Sequence, residues 1–171
     1  QEKWLPWPNE PLIFSSDIPK EIETLPKYIP ESVIDQLKEK LVNCPDYFQR
    51  LIVILLETGR RIGEICSLPF SCIEQDKDGD WFLRIIDKKI KRNYLIPISP
   101  ECLASIQQQQ IEVKNSCEEL PYLFPARNKI KSQHITARNV NEALNKLAQR
   151  QKIKDSNGNI LTQGDSIILI K

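Results

Sequence analysis

Arg60 and Arg61 stand side by side, three to four residues before Glu64, at the seam between an apolar run and a short periodic segment. A guanidinium stays charged and offers a planar fork of donors that matches a carboxylate or a phosphate. Burying two of them unpaired is costly, so at least one should meet an anion or a carboxylate. Arg61 is the candidate, with Glu64 near it. A second cluster, Asp87-Lys88-Lys89-Ile90-Lys91-Arg92-Asn93, together with Arg84 sets five cations against the single Asp87. An ordinary solvated turn mixes both signs. A third one-signed stretch holds Arg127, Lys129, Lys131 and Arg138, with the only histidine, His134, among them. A basic loop that opens a helix can contact phosphate through side chains and through the first amides of the helix.

The elements that must carry these residues follow from periodicity. Leu51 to Leu56 is apolar at every position, which suits a helix buried on all sides. Gly59 is the residue expected where that helix ends in a left-handed turn. Ile62, Ile65 and Leu68 then give a second short helix one apolar face, and Pro69 ends it. Upstream, Val33, Ile34, Leu37 and Leu41 predict an amphipathic helix over 31–42, with Asn43 to Asp46 as a break and cap. From Ile73 the period changes. Trp81 to Ile86 and Tyr94 to Ile98 predict two strands of a hairpin, Pro97 suiting an edge, with the basic cluster as their turn. Ser99-Pro100 predicts a capped helix running through Leu103, Ile106, Gln110 and Val113 to about Ser116, and Thr136 predicts a cap for a helix over 137–149. Leu123 and Phe124, between Pro121 and Pro125, form a short segment expected to be buried.

Composition bounds the rest. The chain of 171 residues suits one domain, and 40% apolar with 27% charged residues describes a globular protein. Half of its twelve prolines fall in residues 1–30, so residues 1–26 are expected to be a proline-rich arm and residues 27–171 a folded domain. The longest apolar run is six residues, too short to span a bilayer, and the first residues lack a signal-peptide pattern. A cytoplasmic location is expected. The five cysteines include no C-x-x-C pair, which argues against a disulfide framework and a thiolate zinc site and for buried free thiols. Asp76, Asp78, Asp80 and Asp87 fall at positions 1, 3, 5 and 12 of a calcium loop, but Trp81 stands where that loop needs glycine, so a hairpin turn explains them better. Net charge is only +1, so any nucleic-acid partner must be read from local clusters.

Thr58-Gly59-Arg60-Arg61 with Glu64 and Leu68 resembles the first arginine box of the tyrosine recombinases, the phage integrase family, whose pattern is T-G-x-R-x-x-E-x-x-x-L. The resemblance runs from about Lys27 to Ile160. It implies a mainly helical domain with a small antiparallel sheet, an incomplete recombinase catalytic domain from a mobile-element integrase or transposase. It also implies that Arg61 clamps the scissile DNA phosphate. Counted back from Pro97, the family's hairpin lysine falls on Lys89, with Lys88 and Lys91 as alternatives. That lysine acts as general acid toward the leaving 5′ oxygen, which needs a pKa lowered by burial or by cations such as Lys88, Lys91 and Arg92. Arg60, Lys88, Lys91, Arg92, Arg127, Lys129, Lys131 and Arg138 become candidate DNA contacts. The implied partners are double-stranded DNA and other recombinase protomers, with no metal, nucleotide cofactor, membrane or small-molecule substrate.

The family's H-x-x-R box and its nucleophilic tyrosine have no counterpart here. His134 and Arg138 stand four apart where the box needs three, and they precede a helix that should come first. Tyr28, Tyr47, Tyr94 and Tyr122 all lie upstream of the nucleophile's place. The expectation is a chain that binds DNA weakly without cleaving it. A non-catalytic DNA-binding remnant and a helical protein-interaction domain are the alternatives.

Overall fold

The computed structural model describes residues 29–87, 92–116, 120–126, 133–154 and 158–160. The arm over 1–26, the hairpin tip with Lys88, Lys89 and Lys91, the cluster of Arg127, Lys129 and Lys131, Cys117 and the apolar tail 167–170 lie outside the described residues. The elements in chain order are α1 (Glu31–Leu41), α2 (Asp46–Thr58), α3 (Ile62–Cys66), β1 (Ile73–Gln75), β2 (Trp81–Asp87), β3 (Arg92–Pro97), α4 (Pro100–Asn115) and α5 (Ala137–Arg150). This is the expected mainly helical domain with a small antiparallel sheet.

α1 buries Val33, Leu37 and Leu41, one stripe at helical spacing. Asn43 to Asp46 provides the break but not a side-chain cap. The α2 cap is Pro45, and Asp46 is already the first helical residue. In α2, Leu51, Ile52, Ile54 and Leu55 are fully buried, while Val53 and Leu56 are only half-buried and line a groove of about 420 Å³ with Leu41 and Val42. The expectation of burial on all sides is thus corrected. At 3.6 residues per turn a six-residue apolar run covers every face, and the side carrying Val53 and Leu56 is left uncovered among the described residues. α2 packs along α4, whose inward residues are Cys102, Ile106, Gln109 and Val113. Leu103 and Gln110 are half-buried, because the inward stripe runs one residue out of the expected frame on either side of Ile106. Gln109 tolerates burial because its Nε2 donates to the Leu123 carbonyl (3.2 Å) and its Oε1 accepts from Arg50 Nε (2.9 Å).

The sheet has the order β1-β2-β3, antiparallel throughout, with Leu83 opposite both Ile73 and Ile96, and Ile85 opposite Tyr94. Leu83 and Ile85 face the helices, and Pro97 lies on β3, which among the described residues is an edge strand, where its missing N–H costs little. The strand β1 starts at Ile73, where the period changes, and was not among the expected strands. The turn after it is closed by Asp76, whose Oδ1 accepts from the amides of Asp78 (3.0 Å) and Asp80 (2.8 Å), with Gly79 at φ 93°. Leu123 and Phe124 are buried as expected and join a core with Leu37, Leu51, Leu55, Ile65, Ile106 and Leu144. Cys66, Cys72 and Cys102 are free and buried, and Cys44 is free and half-buried. No helix among the described residues is long and apolar enough to cross a membrane.

Candidate functional site

Gly59 turns the chain out of α2. It adopts φ 58°, ψ 18°, and its N–H reaches the Leu55 carbonyl at 3.1 Å. Thr58 Oγ1 donates to the Ile54 carbonyl (2.7 Å), so the helix end is tied before the turn begins. Arg60 and Arg61 follow in the turn, and Arg61 is the extended residue that opens α3.

Glu64, one turn into α3 and mostly buried, receives both arginines. Its Oε2 accepts from Arg60 Nε at 3.0 Å, and its Oε1 lies 3.6 Å from Arg61 Nη1. The two cations differ in what remains free. Arg60 is 27% exposed, and its Cζ lies 5.0 Å from the centroid of the Tyr94 ring, whereas Arg61 is 63% exposed. One carboxylate against two guanidiniums leaves net positive charge, and Arg61 is the member that presents it to solvent. The carboxylate partner expected for Arg61 is present, but Arg60 holds it more closely.

Tyr94 stands on β3 opposite Ile85, and the last pair of the hairpin is Asp87 opposite Arg92. The arginine turn therefore touches the hairpin about 7 Å short of its basic tip, at 3.3 to 3.4 Å per strand residue. A second tie joins the same parts. Glu57, at the end of α2, accepts from the Ser99 amide (2.6 Å) and from Ser99 Oγ (2.7 Å) just past β3. Neither contact was readable from the sequence, since no periodicity links residue 57 to 99 or 60 to 94.

Arg84 and Arg138 are already engaged. Arg84 spans Glu74 (2.8 Å) and the Ser71 carbonyl (2.9 Å), although its Nε is buried without a partner. Arg92 is exposed at the start of β3. Arg138 is 87% exposed and donates through Nε to Glu142 (2.9 Å). That bond raises the Arg138 pKa and lowers that of Glu142. The acid-free stretch thus ends against an acid one helical turn later. His134 sits edge-on to Tyr122 (5.0 Å between centroids), with Nδ1 2.8 Å from the Ile135 carbonyl. Among the described residues no group of three His, Cys, Asp or Glu side chains could hold a metal ion.

The sequence pattern of the phage integrase family matches residues 23–162. Transposase B from transposon Tn554 of Staphylococcus aureus (strain Mu50 / ATCC 700699) is 36% identical over 158 residues, covering 92% of this chain and 25% of that transposase. Tyrosine recombinase XerA of Pyrococcus horikoshii is 25% identical over 118 residues, covering 68% of this chain and 39% of that protein. Among solved structures, XerA recombinase superposes with a TM-score of 0.59 at 17% identity, over 77% of this chain and 46% of that one. XerH site-specific recombinase, bound to its difH substrate in a pre-cleavage complex, gives 0.61 at 14% identity, over 80% and 40%. The chain spans only about a quarter of the transposases it matches. These structures share its fold, and with the family pattern running through most of its length, the chain belongs to the phage integrase family of tyrosine recombinases.

Proposed function

We propose that these residues form the first part of a recombinase catalytic domain that acts on double-stranded DNA in the cytoplasm. In this reading Arg61 holds the scissile phosphate, and the hairpin lysine, Lys89 with Lys88 and Lys91 as alternatives, protonates the departing 5′ oxygen. Arg60, Arg61, Arg92 and Arg138, with Arg127, Lys129 and Lys131, are the phosphate contacts, Arg61 being more exposed than Arg60. The observation that carries the reading is the pairing of parts. An exposed arginine stands in a turn whose neighbour rests on the strand that leads from the basic hairpin tip. Such an arrangement brings two cationic segments to one phosphate and stabilises the charge that develops on it. The solved XerH complex with difH supports DNA as the partner.

Cleavage in this chemistry needs a tyrosine oxygen that attacks phosphorus, forms a 3′-phosphotyrosine and expels the 5′ oxygen as a hydroxyl. Of the four tyrosines, Tyr94 lies under Arg60 and Tyr122 against His134. In this reading none of Tyr28, Tyr47, Tyr94 and Tyr122 is that nucleophile, and the 171 residues by themselves bind duplex DNA weakly and form no covalent adduct. A complete recombinase of this kind works with other protomers and needs neither a metal nor a small-molecule substrate.

Titration of a labelled duplex tests the binding. Affinity should fall roughly tenfold or more from low to physiological salt, as expected for a handful of phosphate contacts. A nicked suicide substrate tests the chemistry. No adduct should form with the chain alone. One should form when the carboxyl-terminal third of a related recombinase is supplied, and Arg61→Ala should abolish it. Absence of binding at low salt, or an adduct that survives Arg61→Ala, would overturn the reading.

A further inference from the structure

We infer that the far end of α5 is a further phosphate-binding surface, built from Lys146, Arg150, Lys152 and Lys154, which extends the DNA contact beyond Arg138. This rests on the proposed recombinase function and adds residues that the family motif does not name. From Ala143 to Lys154 the chain carries these four cations and no acid. All four are exposed, and none sits in a salt bridge among the described residues. Arg138, Glu142, Lys146 and Arg150 follow one another at intervals of four, so they share one slowly turning ladder on the helix. Glu142 is already held by Arg138 at 2.9 Å. The cationic surface therefore runs from the start of α5 to its end, roughly 18 Å at 1.5 Å per residue.

The turn that ends α5 holds one of these cations against its own backbone preference. The Ile153 amide donates to the Ala148 carbonyl (3.0 Å) and the Lys152 amide to the Gln149 carbonyl (3.3 Å), the pair of bonds that closes a helix on a left-handed residue. Lys152 is that residue, at φ 51°, and it is the only non-glycine with positive φ among the described residues. Glycine adopts that conformation freely, as Gly59 does at the end of α2, whereas a side chain there is strained. Local folding alone thus favours glycine at position 152. Complementing the helix dipole does not require a lysine there, because Arg150 already stands in the last turn. The turn is also pinned. Gln36 on α1 accepts from the Lys154 amide (3.0 Å) and donates to the Lys154 carbonyl (3.1 Å), and Ile153 between the two lysines is buried. A protein partner would call for an apolar centre, and no large apolar side chain is exposed between Ala137 and Lys154. Exposed cations interspersed with Asn141 and Gln149 fit the phosphates of a nucleic acid better.

The signature is that stability and binding move in opposite directions. Lys152→Gly relieves the backbone and removes one phosphate contact. In the 171-residue chain it should raise the thermal denaturation midpoint, and it should flatten by about one the slope of log affinity for a labelled duplex against log salt. Arg150→Gln combined with Lys154→Gln should flatten that slope by about two. Net charge alone does not give this result. Lys77→Gln, in the acidic turn before β2, and Lys77→Gln combined with Lys114→Gln remove the same charge from exposed positions elsewhere and should leave the slope unchanged. A slope unaltered by the α5 changes, or flattened as much by those at Lys77 and Lys114, overturns the surface. If Arg61→Ala still weakens binding in that case, the recombinase reading stands. Absence of duplex binding by the parent chain at low salt overturns both. A midpoint that falls on Lys152→Gly shows a lysine held for the helix end, and overturns the assignment. Polyglutamate bound as tightly as the duplex, and weakened equally by the same changes, makes an acidic protein the partner and overturns DNA in that role.

Discussion

Glu64 decides the charge balance of the arginine turn, because one mostly buried carboxylate serves two guanidiniums that differ in exposure. Stability and function should therefore separate within the box. Removing the exposed Arg61 leaves Glu64 paired with Arg60, so Arg61→Ala should change stability by less than about 0.5 kcal/mol, as for exposed surface substitutions. Glu64→Ala strands Arg60 in a half-buried position and should cost roughly 1–3 kcal/mol. Urea unfolding of the two variants checks this, and an Arg61→Ala loss as large as that of Glu64→Ala would show that Arg61 is a structural arginine. Gly59 belongs to the same scale. A Cβ there meets nothing within 4 Å, so the penalty of Gly59→Ala is the left-handed backbone alone, about 1–2 kcal/mol. Gly59→Asn should cost less, since asparagine tolerates that region better.

At the scale of elements, the caps of α4 and α5 and the turn after α2 were legible, while the cap of α2 and the meeting of elements were not. Ser99 Oγ accepts from the Cys102 amide at 3.2 Å and Thr136 Oγ1 from the Asn139 amide at 3.3 Å, both as local chemistry predicts. β1 escaped notice because three residues are too few to display an alternation, and its strand character comes from pairing with β2. The frame of α4 escaped because Cys102 and Gln109 are weak hydrophobic signals, and Gln109 is buried only because Arg50 and the Leu123 carbonyl satisfy it. The family resemblance was legible from five residues between 58 and 68, yet the contacts of Arg60 with Tyr94 and of Glu57 with Ser99 join residues 34 and 42 apart. Ser99 does two jobs, capping α4 and donating to Glu57. Ser99→Ala should therefore cost more than Thr136→Ala, which should lose about 1 kcal/mol as an ordinary cap. Equal losses in paired thermal melts would mean that the Glu57 tie contributes nothing to stability.

At the scale of the whole molecule, the core holds three buried thiols that belong to different segments. Cys66 ends α3, Cys72 precedes β1 and Cys102 lies in the first turn of α4, and all are buried. Burial pushes each thiol up from 9.0 to about 12, with Glu57, Cys72 and Glu101 adding to the rise at Cys102 and Arg84 opposing it at Cys72. The direction of the linkage follows. The folded chain keeps these protons at a pH where the unfolded chain has released them, so raising the pH favours unfolding. Their contribution is intact below about pH 9 and is lost as the pH climbs toward 12. Denaturation midpoints should accordingly fall between pH 8 and pH 10.5. The comparison must be with a chain in which Cys66, Cys72 and Cys102 are replaced by alanine. That variant starts less stable, because each replacement removes buried sulfur, but it should lose less on going to pH 10.5. A thiol reagent at pH 8 should meanwhile modify the half-buried Cys44 well before the buried Cys66, Cys72 and Cys102. Parallel losses in parent and triple variant would show that the thiols do not govern alkaline stability, and that charge elsewhere on the fold does.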